Sequence, residues 1–267
     1  MAGDRVQQGP ILLDVSDAEE IARLKGHLDI VEAGRFGHCM CHGWPTLELF
    51  AGEKRKAVIG LQHGRAIRWQ GWKGDAPLAN PGGLLEWMAR LGATKPLEKF
   101  EEDRAREAAE RNAWVAWLGA VPTSLADFRQ VFERVRSQGD AGLDVAAVLR
   151  SLSTEFPDSG ARIRALFRWF ACGSGVWNGY PSYEEIPEML LLAHDTAALV
   201  SAVSGLSPDS KEAEGASRLL AGWNFRRSRE PELVSLDAGA RALLLAAGSR
   251  SSDSDRLARA RRAFGRP

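Results

Sequence analysis

The spacing of apolar residues changes along this chain from a repeat of two to the three-and-four spacing of helices, and this change limits the possible folds more than any other feature. Leu47 and Leu49 alternate with polar neighbours. Ile59 and Leu61 alternate in the same way further along the chain. Beyond Pro122 the apolar segments have helical spacing. The pattern predicts an α+β fold, in which a small N-terminal antiparallel sheet with flanking helices precedes a larger all-helical part.

The period-two region extends from His38 to Trp69 and contains two signals for chain reversal. The polar stretch 52–56 is typical of a hairpin turn, and Gly64 supplies a second turn or a bulge. These breaks divide the region into three or four strands. We therefore expect an antiparallel meander with one face covered by helices.

A charged helix is predicted where the two parts join. Residues 97–118 carry opposite charges four positions apart, such as Glu102 with Arg106, and become strongly apolar only near their end. This composition is typical of a solvated connector. The sequence therefore predicts two domains, an α+β domain at 1–94 and an all-helical domain at 95–267.

About eight helices with short loops are expected in the second domain. Asp195 and Asp237 are predicted to begin two of them as N-terminal caps, and Ser207 and Ser252 are predicted to begin two others. The helix starts follow no fixed repeat. A compact helical bundle and an irregular stack of helical repeats are both compatible with this spacing.

The balance of charges argues against nucleic acid as a partner. Lys and Arg together number 35, and Asp and Glu together also number 35, so no net field attracts phosphate. Arginines crowd only the end of the chain, residues 256–266, where we interpret them as a solvated helix end that offsets the helix dipole.

Targeting signals and cysteine usage indicate the compartment. The sequence contains no run of about 18 apolar residues, and its first twenty residues lack the apolar stretch of a signal peptide. Three cysteines are too few for a disulfide framework and fit a compartment that keeps thiols reduced. We therefore expect a cytoplasmic protein without membrane contacts.

The segment His38–His42 reads His-Cys-Met-Cys-His and places five potential metal ligands in a row. In a regular strand, Cys39 and Cys41 would lie about 6.7 Å apart, whereas two sulfurs on one zinc ion lie about 3.8 Å apart. A strand therefore disfavours zinc, and copper(I) held by the two cysteines, or by Met40 with the two histidines, suits the segment better. We favour the interpretation that both cysteines are small buried hydrophobic residues and that the protein has no cofactor, with a zinc or copper site, or a redox or nucleophilic thiol, as the alternatives.

His63 and the residues after it form a second candidate site. His63 lies at a predicted turn, and Arg65 and Arg68 follow it closely. Cys41 or Cys39 beside His63 would form a thiolate–imidazole pair, which is the minimum for nucleophilic thiol chemistry. This hypothesis assigns His63 and Cys41 as catalytic residues. The alternative is that His63 ends a hairpin and that the arginines lie on a solvated face of the sheet.

The loop 173–183 joins two predicted helices and contains three glycines and three aromatic residues. Connections between helices are usually shorter. The loop is either a packed Ω-loop, with Trp177 and Tyr180 folded inward, or a surface that exposes these aromatic side chains to a protein partner. Trp72 and Trp223 adjoin glycines in loop-like sequence, and we expect them to contribute to the same kind of contact.

Signatures of the common enzyme classes are missing from the sequence. It contains no G-x-G-x-x-G after a predicted strand, no H-E-x-x-H, no G-x-S-x-G and no paired C-x-x-C. We therefore favour an intracellular interaction or regulatory module that binds a protein partner through the helical part and the 173–183 loop. The alternative is a thiol- or metal-dependent enzyme with a site around Cys39, Cys41 and His63. A third hypothesis, nucleic-acid binding through the arginine-rich end, has the weakest basis. The sequence identifies neither the partner nor the oligomeric state.

Overall fold

The computed structural model describes residues 10–32, 37–139, 142–175, 181–229 and 236–265. An antiparallel sheet near the N-terminus is followed by many helices, which confirms the predicted α+β class. The chain divides into two compact units, Met1–Ala109 and Glu110–Pro267. This division falls inside a long helix, whereas the sequence predicts a boundary at 94/95, where that helix begins.

The sheet of the first unit is a meander in which each strand pairs with the next. Its order is β1-β2-β3-β4, and all three pairings are antiparallel. The strands are β1 Thr46–Ala51, β2 Lys54–Gln62, β3 Ala66–Trp69 and β4 Ala76–Pro77. The predicted meander is therefore confirmed. The period-two region begins later than predicted, however, because residues 38–45 precede β1 and contain bends.

Helices cover one face of this sheet, as the alternation of apolar residues predicts. Helix α1 spans Ala18–His27, and helix α2 spans Pro81–Arg90. Leu61 of β2 pairs with Ile67 of β3, and both are buried against Leu85 of α2. The first turns of the next helix complete this core. Burial of such side chains stabilises the unit by about 1.5–3 kcal/mol each.

Glu20 connects the two covering helices. Its carboxylate accepts hydrogen bonds from the Trp87 indole Nε1 at 2.8 Å and from an Arg90 guanidinium nitrogen at 2.6 Å. The hydrogen bond from Arg90 is the main reason that the pKa of Glu20 is lowered to about 2, because it favours the charged carboxylate and outweighs the opposing effect of desolvation.

Replacing Glu20 by glutamine is expected to make the stability of the protein less dependent on pH. The pKa of Glu20 is lower in the folded protein than in the unfolded chain, so its contribution is present above pH 4.5 and is lost as the pH falls toward about 2. Urea midpoints of wild type and E20Q should therefore differ at neutral pH and converge in acid. E19Q is the matched control, since Glu19 is largely exposed. A difference between wild type and E20Q that is constant with pH would contradict this assignment.

The next helix is the long helix α3, Lys95–Gly119. The division between the two units falls inside this helix. The later ones are α4 Arg129–Gln138, α5 Val145–Glu155, α6 Ser159–Ala171, α7 Glu185–Leu192, α8 Thr196–Val203, α9 Lys211–Leu220, α10 Trp223–Arg229, α11 Ala238–Ser249 and α12 Ser254–Phe264. Short 3-10 helices at Thr123–Phe128 and Ser182–Glu184 precede α4 and α7.

Two of the four predicted helix starts are placed correctly. The carboxylates of Asp195 and Asp237 each accept a hydrogen bond from the backbone amide three residues on, at 2.7 Å. The helices predicted to begin at Ser207 and Ser252 start later, and Ser210 and Asp253 cap them. In each case a second short polar residue lies close by, and local propensity alone does not decide which of them becomes the cap.

Helix α6 lies at the centre of the second unit. It packs against α5, α7, α8 and α9, and one hydrophobic core extends from Trp114 to Phe264. In a stack of repeats each element contacts only its sequence neighbours. The shared core around α6 therefore corresponds to a bundle. The backbones of α6 and α9 approach so closely that a Cβ atom at Gly215 would lie 1.9 Å from the carbonyl oxygen of Phe167.

Within the described ranges, no single helix has the length and apolar character of a membrane span. The segments Ser182–Leu192 and Thr196–Val203 meet those criteria only as a pair joined by a sharp bend, and by length and composition alone.

Candidate functional site

The turn between β2 and β3 positions His63. The backbone amide of Arg65 donates to the carbonyl of Gln62 at 2.9 Å, and both central residues have positive φ, 50° at His63 and 68° at Gly64. These are the φ signs of a type I′ hairpin turn. Glycine adopts them freely, whereas a histidine does so at a cost of about 1 kcal/mol or more. The fold thus holds a chemically versatile side chain in a strained conformation at the end of the sheet.

A partly buried ion pair supports the cysteine segment. Asp75 is buried and accepts two hydrogen bonds from the Arg68 guanidinium, at 2.5 and 2.9 Å. The same carboxylate accepts the backbone amide of Cys39 at 2.8 Å. Arg68 also donates to the carbonyl oxygens of Cys39 and Cys41. Three backbone groups of the segment are therefore fixed by one Arg–Asp pair, formed by Arg68 of β3 and Asp75 just before β4.

The bend at Met40 and Cys41 brings the two cysteines together with His63. The Cys39 sulfur lies 3.2 Å from Nε2 of His63 and accepts the backbone amide of Cys41 at 3.4 Å. The ligand atoms of Cys39, Cys41 and His63 all lie within 4.8 Å of one another. The separation expected for a regular strand therefore does not apply, since the segment is bent.

The environment of the two thiols moves their pKa values in opposite directions. The pKa of Cys39 is lowered to about 7, chiefly by hydrogen bonding from the Cys41 thiol, then from the Cys41 backbone amide and then from His63. The pKa of Cys41 is raised, chiefly because its thiol donates to Cys39. Cys39 is thus the thiol that is stabilised as a thiolate near neutral pH.

In metal-free protein, Cys39 is expected to be alkylated by iodoacetamide well before Cys172. Near pH 7.5 about half or more of Cys39 is thiolate, whereas burial raises the pKa of the Cys172 thiol. Peptide mass spectrometry after a short pulse measures both rates at several pH values. Faster labelling of Cys172, or a rate for Cys39 that rises only above about pH 8.5, would exclude the lowered pKa.

The other residues of the two predicted sites do not lie where the sequence predicted them. His38 and His42 are exposed and do not belong to the group of three ligand atoms, whereas His63 does. The Cys39 sulfur lies within hydrogen-bonding distance of His63. Cys39 therefore fits the predicted thiolate–imidazole pair better than Cys41 does. Arg65 forms an ion pair with Glu107 at 2.7 Å instead of facing the cysteines.

A cavity of about 360 Å³ adjoins the site and was not anticipated from the sequence. Cys41 and His63 line it together with apolar residues from α2 and α3. Gln62, also in its lining, is almost completely buried, and among the described residues neither atom of its amide group has a hydrogen-bond partner. A sequence signal that could have indicated this site is the polar side chain of Gln62 at the otherwise apolar end of strand β2.

Replacing Gln62 by leucine is expected to stabilise the protein by about 1–2 kcal/mol, because the change removes two buried polar atoms without partners at similar volume. Urea denaturation of Q62L and wild type measures the difference. Q70L is the control, since Gln70 is exposed and should change stability by less than about 0.5 kcal/mol. A clear loss of stability in Q62L would mean that the amide has a favourable partner.

The aromatic residues predicted to bind a partner differ in exposure. Trp223, the first residue of α10, is 63% exposed. Trp72 is 38% exposed and lies edge-on against Trp69, with ring centroids 6.1 Å apart. Trp177 and Tyr180 lie outside the described residues.

The described start of the 173–183 loop binds one of the chain's own carboxylates. The backbone amides of Ser174 and Gly175 donate to Glu184 at 2.6 and 2.9 Å, and Arg218 forms a buried ion pair with Glu184 at 2.8 Å. Arg256 donates to the carbonyls of Gly173 and Gly175. A glycine-rich turn that could hold an external anion is thus occupied by Glu184. The interpretation of the terminal arginines as solvated is wrong for Arg256, which is partly buried and makes these two hydrogen bonds within the chain.

Comparisons with protein families, with curated proteins and with solved structures found no match.

Proposed function

We propose that the N-terminal unit binds a zinc ion through Cys39, Cys41 and His63. The supporting observation is that these three ligand atoms lie within 4.8 Å of one another. On a tetrahedral zinc ion, sulfur and nitrogen ligands are about 3.5–3.8 Å apart, so a small side-chain movement is sufficient to close the site. Copper(I) is satisfied by two sulfurs, whereas the added imidazole favours zinc.

The ion pair between Arg68 and Asp75 supports this proposal independently of the ligands. Its hydrogen bonds fix the backbone of Cys39 and the carbonyl of Cys41, so part of the cost of ordering the site is already met before metal arrives. The lowered pKa of Cys39 acts in the same direction, since zinc binds the thiolate.

Three protein ligands suit a catalytic zinc site, because structural zinc sites usually have four. A fourth position would be open to water or substrate, and the cavity lined by Cys41 and His63 adjoins it. We therefore propose a metal-dependent enzyme in which zinc polarises a bound water or substrate. This corresponds to the metal-dependent alternative derived from the sequence.

Metal analysis of protein purified without a histidine tag tests the proposal. We expect about one equivalent of zinc per chain, and a content below about 0.2 equivalents of zinc after incubation with the ion would overturn it. One equivalent of copper with no zinc would replace the assigned ion. A Cys172→Ser variant serves as control, because Cys172 belongs to the other unit and should leave metal content unchanged.

Protein binding by the helical unit is the second function that we propose. The observation that favours it is the exposure of Trp223, since tryptophan is enriched at binding hot spots. A partner captured by wild type and lost by W223A, but retained by a variant at the similarly exposed Val115, is the expected result. Equal capture by both variants would contradict a role for Trp223, whatever the metal content.

A further inference from the structure

The cavity beside the proposed zinc ligands has the size of a small-molecule site. Its volume is about 360 Å³, near the lower end of the range for ligand pockets. Cys41 and His63, two of the three proposed zinc ligands, are part of its lining. An ion held by them would therefore face the cavity, and a molecule in the cavity would reach the open coordination position.

The walls of the cavity are predominantly apolar. Leu61 and Leu85 are fully buried, Phe100 is nearly so, and Trp44 adds a partly exposed aromatic ring. Gly64 allows these side chains to approach the turn, because a Cβ atom at this position would lie 3.0 Å from Phe100 and 3.1 Å from Leu85. Such walls favour an apolar body, about as large as a benzyl group, over a polar one.

The two oppositely charged side chains in the cavity lining compensate each other. Lys99 and Asp103 both line it, and their charged groups lie 3.1 Å apart. Two cysteine thiolates would likewise cancel the double charge of a zinc ion. Lys99 and Asp103 therefore give the cavity lining no net charge, which favours a neutral molecule.

We propose that this cavity binds a neutral small molecule with an apolar, aromatic-sized body and a single thiol or hydroxyl group. The body packs against Phe100 and Trp44. The sulfur or oxygen takes the fourth position on zinc, and a thiol releases its proton to solvent as the metal–sulfur bond forms. This inference rests on the proposed zinc function and identifies the class of molecule that the metal centre would act on.

Calorimetric titration of the zinc-loaded full-length chain with benzyl mercaptan and with ethanethiol tests the inference, with zinc content measured on the same sample. Both thiols can bind zinc, but only benzyl mercaptan has a body that fills the cavity. We expect benzyl mercaptan to bind at least about tenfold more tightly than ethanethiol, and at least about tenfold more tightly to zinc-loaded than to metal-free protein.

The variant Trp44→Ala removes part of the wall at an exposed position and should weaken benzyl mercaptan binding about fivefold without affecting ethanethiol. Trp69→Ala is the matched control, since Trp69 is similarly exposed but lies outside the cavity lining. Failure to take up zinc would overturn both the proposed function and this inference. Zinc uptake with equal affinity for the two thiols, or equal effects of the two tryptophan variants, would overturn the cavity inference alone.

Discussion

Replacing Cys39 by serine is expected to weaken zinc binding by more than about 1,000-fold, because zinc prefers thiolate and a serine hydroxyl remains protonated at neutral pH. Cys39 is the central ligand of the group, since its sulfur contacts both His63 and the backbone amide of Cys41. Competition with a chromophoric chelator measures the loss in affinity, and elemental analysis measures the loss of bound metal.

A variant of His63 can test its role as a zinc ligand without disrupting the turn in which it lies. Asparagine tolerates the left-handed conformation that His63 adopts, so H63N should preserve the hairpin and still lose zinc affinity. Thermal unfolding of the metal-free variants verifies that the fold is retained. Zinc affinity equal to wild type in C39S or in H63N would refute the assigned ligand set.

Replacing Glu184 by glutamine is expected to destabilise the protein by about 3–5 kcal/mol, because it leaves the Arg218 cation buried without its counter-charge. Both side chains of this pair are less than a tenth exposed. The change also weakens the acceptor for the amides of Ser174 and Gly175. The difference in free energy of unfolding from urea denaturation measures the effect.

Glu212 offers a matched control for the same chemical change. It pairs with Arg168, whose side chain is mostly exposed, so E212Q should cost less than about 1 kcal/mol. If E184Q and E212Q destabilise the protein equally, the network around Glu184 is no more important than a surface pair. Retention of native circular dichroism in E184Q below the transition confirms that both measurements start from the folded state.

Much of the first unit could be predicted because its pattern is local. Alternation around Leu47 and Ile59 identified the strands, and Gly64 identified the turn that carries His63. The limits of the strands could not be predicted, since His38–Pro45 alternates weakly and its bent part, Cys39–Cys41, is fixed by hydrogen bonds with Arg68 and Asp75. These hydrogen bonds join positions 27 to 36 residues apart, which spacing rules do not describe.

The candidate site was predicted in composition but not in geometry. The cysteines and His63 were identified from their types, yet the ligand spacing depended on the bend at Met40. Gln62 and Leu85 were not identified as part of a site, because a cavity between elements distant in the chain leaves no periodic signal. Glu184 was also missed, since its partner Arg218 is 34 positions away.

The contact of Arg256 with the Gly173–Gly175 turn has a consequence for the order of folding. The donor and its two acceptors are 83 and 81 positions apart, and contacts with such a large sequence separation form late, since a long loop must first be closed. During synthesis the turn leaves the ribosome well before α12 is made. The turn therefore gains its hydrogen bonds from Arg256, which lies 83 and 81 residues further along the chain, only when α12 docks.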